Sequence, residues 1–335
     1  MKKNILTMLV AFAATLSVQA QQIAVVSTDG STAFYRTLKT AIEDSDPGSV
    51  IYLPGGGFPI DDDVIITKKL NIFGIGHKAK GVNADGYTTI SGNLHFGQGS
   101  DGSAIEGCYI SGTVNIAESS KDYPVTDITI RKCNLDKVAV HDKDCQDIIV
   151  NQNYIRSTST FAYSRATITN NVLRAVQYLN GATICNNIFI GGVYTSRSGY
   201  ANGYYAFLDV KSSSINDNVS FVPMRFESTT TNDNCQADGN MVHDDSFGDN
   251  CIWVGYAEWS WIFKNPAGIT PNSNFHYQEE YLQHETKCGL YGGTDFDDDA
   301  LPPTPYVIQK KIDTKTDAAG MLNIHIRVKA SEAIE

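Results

Sequence analysis

The side chains best suited to hold a ligand gather in one stretch of the sequence. Tyr194-Thr-Ser-Arg-Ser-Gly-Tyr200 is followed by Tyr204-Tyr205, with Arg225, Glu227 and Trp253 close behind. Tyr and Trp rings stack on sugar faces, and Arg supplies forked donors to hydroxyls or carboxylates. Arg197, Tyr200, Tyr204, Arg225, Glu227 and Trp253 are therefore the candidate substrate-binding set, for a polysaccharide or other glycan. The competing reading is that these rings pack a long loop onto its own support. Catalysis would need more. A glycoside hydrolase needs two carboxylates about 5–10 Å apart, and Asp209 with Glu227 is the available pair. A lyase acting on uronates needs a basic side chain and a cation on the carboxylate, which Lys211 and Arg197 could supply. No catalytic residue is assigned.

Metal and charge narrow the choice. Asp61–Asp63, Asp244–Asp245 and Asp297–Asp299 could offer oxygen ligands to Ca²⁺, but no EF-hand spacing surrounds them. Such runs are usually solvated loops, so no cofactor is expected. The chain carries 26 basic and 37 acidic residues, which disfavours nucleic acid and anionic membrane surfaces as partners. The cysteines Cys108, Cys133, Cys145, Cys185, Cys235, Cys251 and Cys288 show no zinc-like spacing.

The elements that position these groups are written in a six-residue pattern: apolar, x, x, Asn or Cys, x, apolar. It recurs at 105–110, 130–135, 150–155, 168–173, 184–189 and 215–220, with a weaker copy at 237–242. The fourth positions are Cys108, Cys133, Asn153, Asn171, Asn187, Asn218 and Asn240, at intervals of 25, 20, 18, 16, 31 and 22 residues. Intervals near twenty with elastic insertions mark a coil-by-coil solenoid. Parallel pairing in register stacks equivalent residues about 4.8 Å apart. Each Asn amide can then bond its neighbours, where an isolated buried Asn would cost about 1–3 kcal/mol. Cys108 and Cys133 continue the file, close enough for a disulfide or for two stacked thiols. The fold expected is an all-β right-handed parallel β-helix. The interval from Asn187 to Asn218 holds an insertion that must project, and it carries Tyr194 to Tyr205.

The N-terminal part adds a short amphipathic helix, expected over Phe34 to Glu43 with Leu38, Ala41 and Ile42 on one face and covering the first coil. The strand Ser49–Leu53, Pro54-Gly-Gly-Gly57, Val64–Ile66 and Leu70-Asn-Ile-Phe-Gly-Ile-Gly76 follow. On this N-terminal part and the Asn file, the chain resembles the pectin-lyase-type right-handed β-helix superfamily, as a secreted Bacteroidetes-type member. The resemblance covers about residues 30 to 257. It implies a ligand lying across the sheet one strand before the Asn turn, with outward positions near Asn115, His141, Gln177, Arg225 and Glu227. His141 and Arg225 would then be four coils apart, about 19 Å, too far to share one catalytic step. The Asp-Asp of polygalacturonases and the Arg-Pro-x-x-Arg of pectate lyases are absent. Glycan binding along the flank without catalysis is therefore expected. The alternatives are a polysaccharide lyase or glycoside hydrolase with an atypical site, and a structural or adhesin-like surface protein.

Residues 1–20 read as a signal peptide: Lys2-Lys3, an apolar run from Ile5 to Leu16, and Val18-Gln19-Ala20 before the cut. The protein is thus expected to be secreted or periplasmic, without membrane insertion, and monomeric. Residues 21–257 form the solenoid with its cap. Residues 258–335 form a closing segment, including Cys288-Gly-Leu-Tyr-Gly-Gly293, and a β-hairpin tail of Tyr306–Ile312 with Leu322–Val328.

Overall fold

A computed structural model describes residues 22–61, 64–78, 86–118, 123–196, 203–224, 234–243, 247–255, 258–264, 269–293, 296–313, 315–316 and 320–330. The chain winds through three sheets of eleven, ten and seven strands. Sheet A has nine parallel strands, from Val50–Tyr52 and Asn71–Phe73 through Ser214–Asn216 to Gln236–Asp238, and the antiparallel strands Ile23–Val26 and Thr32–Tyr35 complete it at the first edge. Sheet B runs from Gly56–Pro59 to Ile252–Trp253, and sheet C from Ile65–Ile66 to Phe207–Lys211. Each full coil passes from A to B to C. The fold is a parallel β-helix, as the repeat requires.

Register explains the core. Ile72, Ile105, Ile130, Val150, Ile168, Ile184 and Ile215 are direct partners in successive strands of sheet A. All are buried, so the apolar position that opens each hexad becomes one continuous inner column. No single coil could bury it alone.

The amide file is fully hydrogen-bonded. Asn171 Oδ1 accepts from Asn153 N at 2.8 Å and Asn153 Nδ2 at 3.0 Å. Asn187 Oδ1 serves Asn171 in the same way, at 3.0 and 2.9 Å. Asn218 Oδ1 and Asn240 Oδ1 continue the pattern. Each Nδ2 also donates to a carbonyl one coil back, Ile130, Val150, Ile168, Ile184 and Ile215 in turn. Cys133 and Cys108 extend the file as separate thiols. Burial pushes Cys133 up to about 12 and Cys108 well above the usual thiol range, so both stay protonated. The Cys133 thiol then lies 3.2 Å from Arg131 O. The file reaches one residue further than its hexads: Thr88, buried beside Cys108, bonds Leu53 O, Pro54 O and Ile75 N.

The N-terminal helix α1 is shorter than expected, Leu38–Asp44. Phe34 and Tyr35 belong instead to the strand Thr32–Tyr35, antiparallel to Ile23–Val26. Thr37 decides the boundary, because its hydroxyl accepts from Thr40 N as an N-cap. Leu38, Ala41 and Ile42 are buried.

The closing segment turns back over sheet B. Tyr154, Val172, Ile188, Val219, Met241 and Ile252 are in register on the outer face of that sheet. Phe263, Phe275, Tyr277, Cys288 and Leu290 join them in a second apolar cluster. The strap is threaded onto the residues just before the file, Gly107, Lys132, Gln152, Asn170, Asn186, Asp217 and Gly239, all with φ between 51° and 71°. Asn186 Nδ2 donates to Lys287 O and Asn170 Nδ2 to Leu290 O, each at 2.8 Å. Lys132 Nζ donates to Asp297 Oδ2 at 2.9 Å and Leu301 O at 2.7 Å. Pro302 lies where a Cβ on Gly107 would stand, 2.8 Å away. The strap therefore runs from the last coils back toward the first. Asp297, read from sequence as one end of an acidic loop, has its carboxylate taken by Lys132 and by the amides of Asp299 and Leu301. Asp62–Asp63 and Asp244–Asp245 lie outside the described residues.

Beneath the strap, His77 is 6% exposed and its Nδ1 has no hydrogen-bond partner. It lines a cavity of about 20 Å³ with Phe275, Phe296 and Ala300. Burial, aided by the charge of Lys78, depresses its pKa to about 3. An imidazole neutral when folded but protonated when unfolded stabilises the fold above about pH 6.5. That contribution is lost progressively as pH falls toward 3. Between pH 7 and 3 we expect a loss on the order of 4 kcal/mol through this group, absent in His77→Asn, measured as the pH dependence of the urea midpoint in both proteins.

Candidate functional site

The outer face of sheet C is the wall one strand before the Asn turn. Its outward row is His95, Asn115, Ala139, Thr160, Gln177 and Leu208, partnered strand by strand. Asn115 and Gln177 stand where the resemblance implied. His141 does not: Ala139 holds that register position, and His141 follows the strand Val138–Val140. Its Nε2 still reaches Asn115 Oδ1 at 3.0 Å. Desolvation, with the charges of His95 and Lys137, lowers its pKa, so it serves as a neutral imidazole.

The three longest strands of this sheet are kinked. Between Thr160 and Ser164 the strand Ser159–Ser164 holds three residues where Val176–Asn180 holds one. Tyr163, Tyr178 and Asp209, on consecutive coils, take φ of 65°, 61° and 53°. A left-handed residue mid-strand interrupts the period of two, so two successive side chains face outward. Phe207 and Val210 stay inside while Leu208 and Asp209 both leave the core. The Tyr163 and Tyr178 rings sit 5.5 Å apart, and Lys211 Nζ lies 5.7 Å from the Tyr163 ring. Bulky residues at positive φ are uncommon and strained, at about 1–3 kcal/mol each. Here that strain creates an outward row of two aromatic rings and an ammonium group.

The projecting insertion is an antiparallel hairpin, Val193–Thr195 with Gly203–Tyr205. Tyr194 and Tyr204 face each other across it, ring centroids 5.3 Å apart and each ring 55% exposed. Buried Tyr205, paired with Val193, anchors its base, and Thr195 at the loop end is buried as well. The hairpin strand Gly203–Tyr205 leads through a bend at Ala206 into the sheet C strand Phe207–Lys211. Tyr204 thus stands three residues before the strand that carries Asp209 and Lys211.

Of the rest of the substrate-binding set, Trp253 alone lies among the described residues. Trp253 lies on sheet B, in register with Val242, Ser220 and Phe189. Those partners point inward and are buried, whereas Trp253, on the last coil of that sheet, is 65% exposed. It belongs to the end of the solenoid, not to the hairpin's wall. Arg197, Tyr200, Arg225 and Glu227 lie outside the described residues. Asp209 is only 5% exposed. Among the described residues, no group of three or more His, Cys, Asp or Glu is placed to hold a metal ion, and no helix is long and apolar enough to cross a membrane.

Sequence reasoning missed Tyr163 and Tyr178. The only signal was spacing: 163, 178 and 209 advance nearly in step with 171, 187 and 218 of the Asn file. No family model, no curated protein and no solved structure matches the chain.

Proposed function

We propose that the protein is an exported glycan-binding β-helix of the pectin-lyase-like kind, from a Bacteroidetes-type source, which holds a polysaccharide across sheet C without cleaving it. The observation that carries this reading is the row of Tyr163 and Tyr178 at left-handed backbone positions beside Lys211. Two rings one coil apart suit the faces of successive sugars, and the ammonium suits a hydroxyl or uronate. The amides of Asn115 and Gln177 add directional hydrogen bonds on the same wall. The exposed Tyr194–Tyr204 pair offers a second contact at the side of that wall. The signal-like first twenty residues support export.

A panel of plant, host and microbial polysaccharides, assayed for binding and for products, tests the reading. Binding to at least one, weakened tenfold or more by Tyr178→Ala with no new reducing ends, is the expected result. The closeness of Lys211 to Tyr163 favours one alternative, an atypical lyase. Unsaturated uronate absorbance that disappears in Lys211→Ala would establish it. Absence of binding across the panel would favour a structural or adhesin-like role.

A further inference from the structure

We propose that the C-terminal hairpin is a self-association surface, through which two copies of the chain dock apolar face to apolar face. The strands Pro305–Ile312 and Ile324–Ala330 pair antiparallel, with Ile312 opposite Ile324, Lys310 opposite Ile326 and Val307 opposite Val328. Partners in such a pair share a face. One face thus carries Val307, Ile312, Ile324, Ile326 and Val328 with the aliphatic stem of Lys310. The other carries Gln309, Lys311, His325 and Arg327. Ile312, Ile324, Ile326 and Val328 are 47%, 57%, 53% and 57% exposed. A lone two-stranded ribbon is marginal in water, and needs its apolar face covered to be stable.

Three arguments select a second copy as the cover. The base of the hairpin is fixed: Thr304 Oγ1 bonds Gly74 O, and Pro305 and Val307 lie beside Tyr52 and Phe73. The ribbon therefore has a defined stance on the solenoid, as a symmetric interface requires. Charge then chooses the mode of contact. The two strands carry Lys310, Lys311, Arg327 and Lys329 and no Asp or Glu. Edge-to-edge pairing of two ribbons would bring these cations side by side. Stacking through the apolar faces sends Lys311, Arg327 and Lys329 outward and leaves only Lys310 at the contact, on a chain in which acidic residues outnumber basic ones, 37 against 26. Area agrees. With Leu322, five side chains each leave roughly 90 Å² exposed. Two copies would bury about 900 Å² in total, the size of a weak, transient contact. The result is a weak two-fold dimer in place of the single copy expected from sequence.

Sedimentation of the full chain across a concentration series tests the proposal. A monomer–dimer equilibrium is expected, with dissociation strengthened at least tenfold by Ile326→Lys and circular dichroism unchanged. Ile326→Cys should oxidise to a cross-linked dimer, while Arg327→Cys, on the opposite face, should not. A wild-type chain that stays monomeric at the highest concentration overturns the proposal. So does a dimer that survives Ile326→Lys, or equal cross-linking from both faces. Monomeric protein that instead binds vesicles of anionic phospholipid through the hairpin would reassign the face to a lipid surface.

Discussion

Replacing Asn187 by Ala should cost about 4–6 kcal/mol, the largest single loss expected in this molecule. The substitution removes the oxygen that receives Asn171 N and Asn171 Nδ2, and the amide that donates to Ile168 O at 2.8 Å. Asn171 N and Ile168 O lose these partners in the interior, while Asn171 Nδ2 keeps Val150 O and Thr169 O. Each polar group left alone costs about 1–3 kcal/mol, and the lost side-chain volume adds to that. Because a solenoid couples only neighbouring coils, damage should centre on the coils of Asn171 and Asn218. Amide exchange there should accelerate before the first coils respond. Asn153→Cys is the matched control. Its neighbour in the file is already Cys133, and a thiol there can still donate backward. The loss should be less than half as large, measured by urea unfolding of both variants. Equal losses would mean that the amides contribute only bulk.

The second large effect concerns Lys132. Its ammonium is nearly buried between Asp297 at 2.9 Å and Glu106 at 3.9 Å, while Arg131 holds the other Glu106 oxygen at 2.8 Å. Removing one member of a buried ionic cluster leaves opposite charge without compensation, typically at about 3–5 kcal/mol. Lys132→Met should therefore destabilise by that amount. It should also free the strap, giving early proteolytic cuts between residues 258 and 304 while the coils stay intact. Lys132→Met with Glu106→Gln and Asp297→Asn should recover most of the loss, because the carboxylates left behind cause it. A triple variant no better than the single would show that packing of the lysine stem, not charge, matters.

Much of this architecture was legible because buried amide chemistry dictates residue type. A stacked turn accepts Asn at one position and little else, so the file from Asn153 to Asn240 could be read directly. Thr88 escaped because an insertion separates it from the strand Asn71–Phe73 that precedes it. The residues before the file carried a weaker signal. Gly107, Asn170, Asn186, Asp217 and Gly239 are types that tolerate the left-handed conformation, yet Lys132 and Gln152 disguise the pattern. The apolar residues just after it, Val172, Ile188, Val219 and Met241, fall at a position the hexad left open, so the covered outer wall of sheet B was not read from it. What covers them was not legible, since the strap follows no repeat.

The ligand face was harder to read for a physical reason. Strand recognition relies on alternation, and the kinks at Tyr163, Tyr178 and Asp209 break it just where the side chains turn outward. The hairpin of Tyr194 and Tyr204 could be anticipated, because a coil of about twenty residues cannot absorb thirty-one. Trp253 had looked like a neighbour of that hairpin through its place in the chain. Register on sheet B put it at the solenoid's end instead.

A crystal structure of the protein with the tightest-binding oligosaccharide from the panel would locate the ligand directly. Electron density for sugar rings over Tyr163 and Tyr178, intact and spanning successive coils of sheet C, is the outcome this account predicts. Sugar bound on another wall, or found only as cleaved fragments, would contradict it.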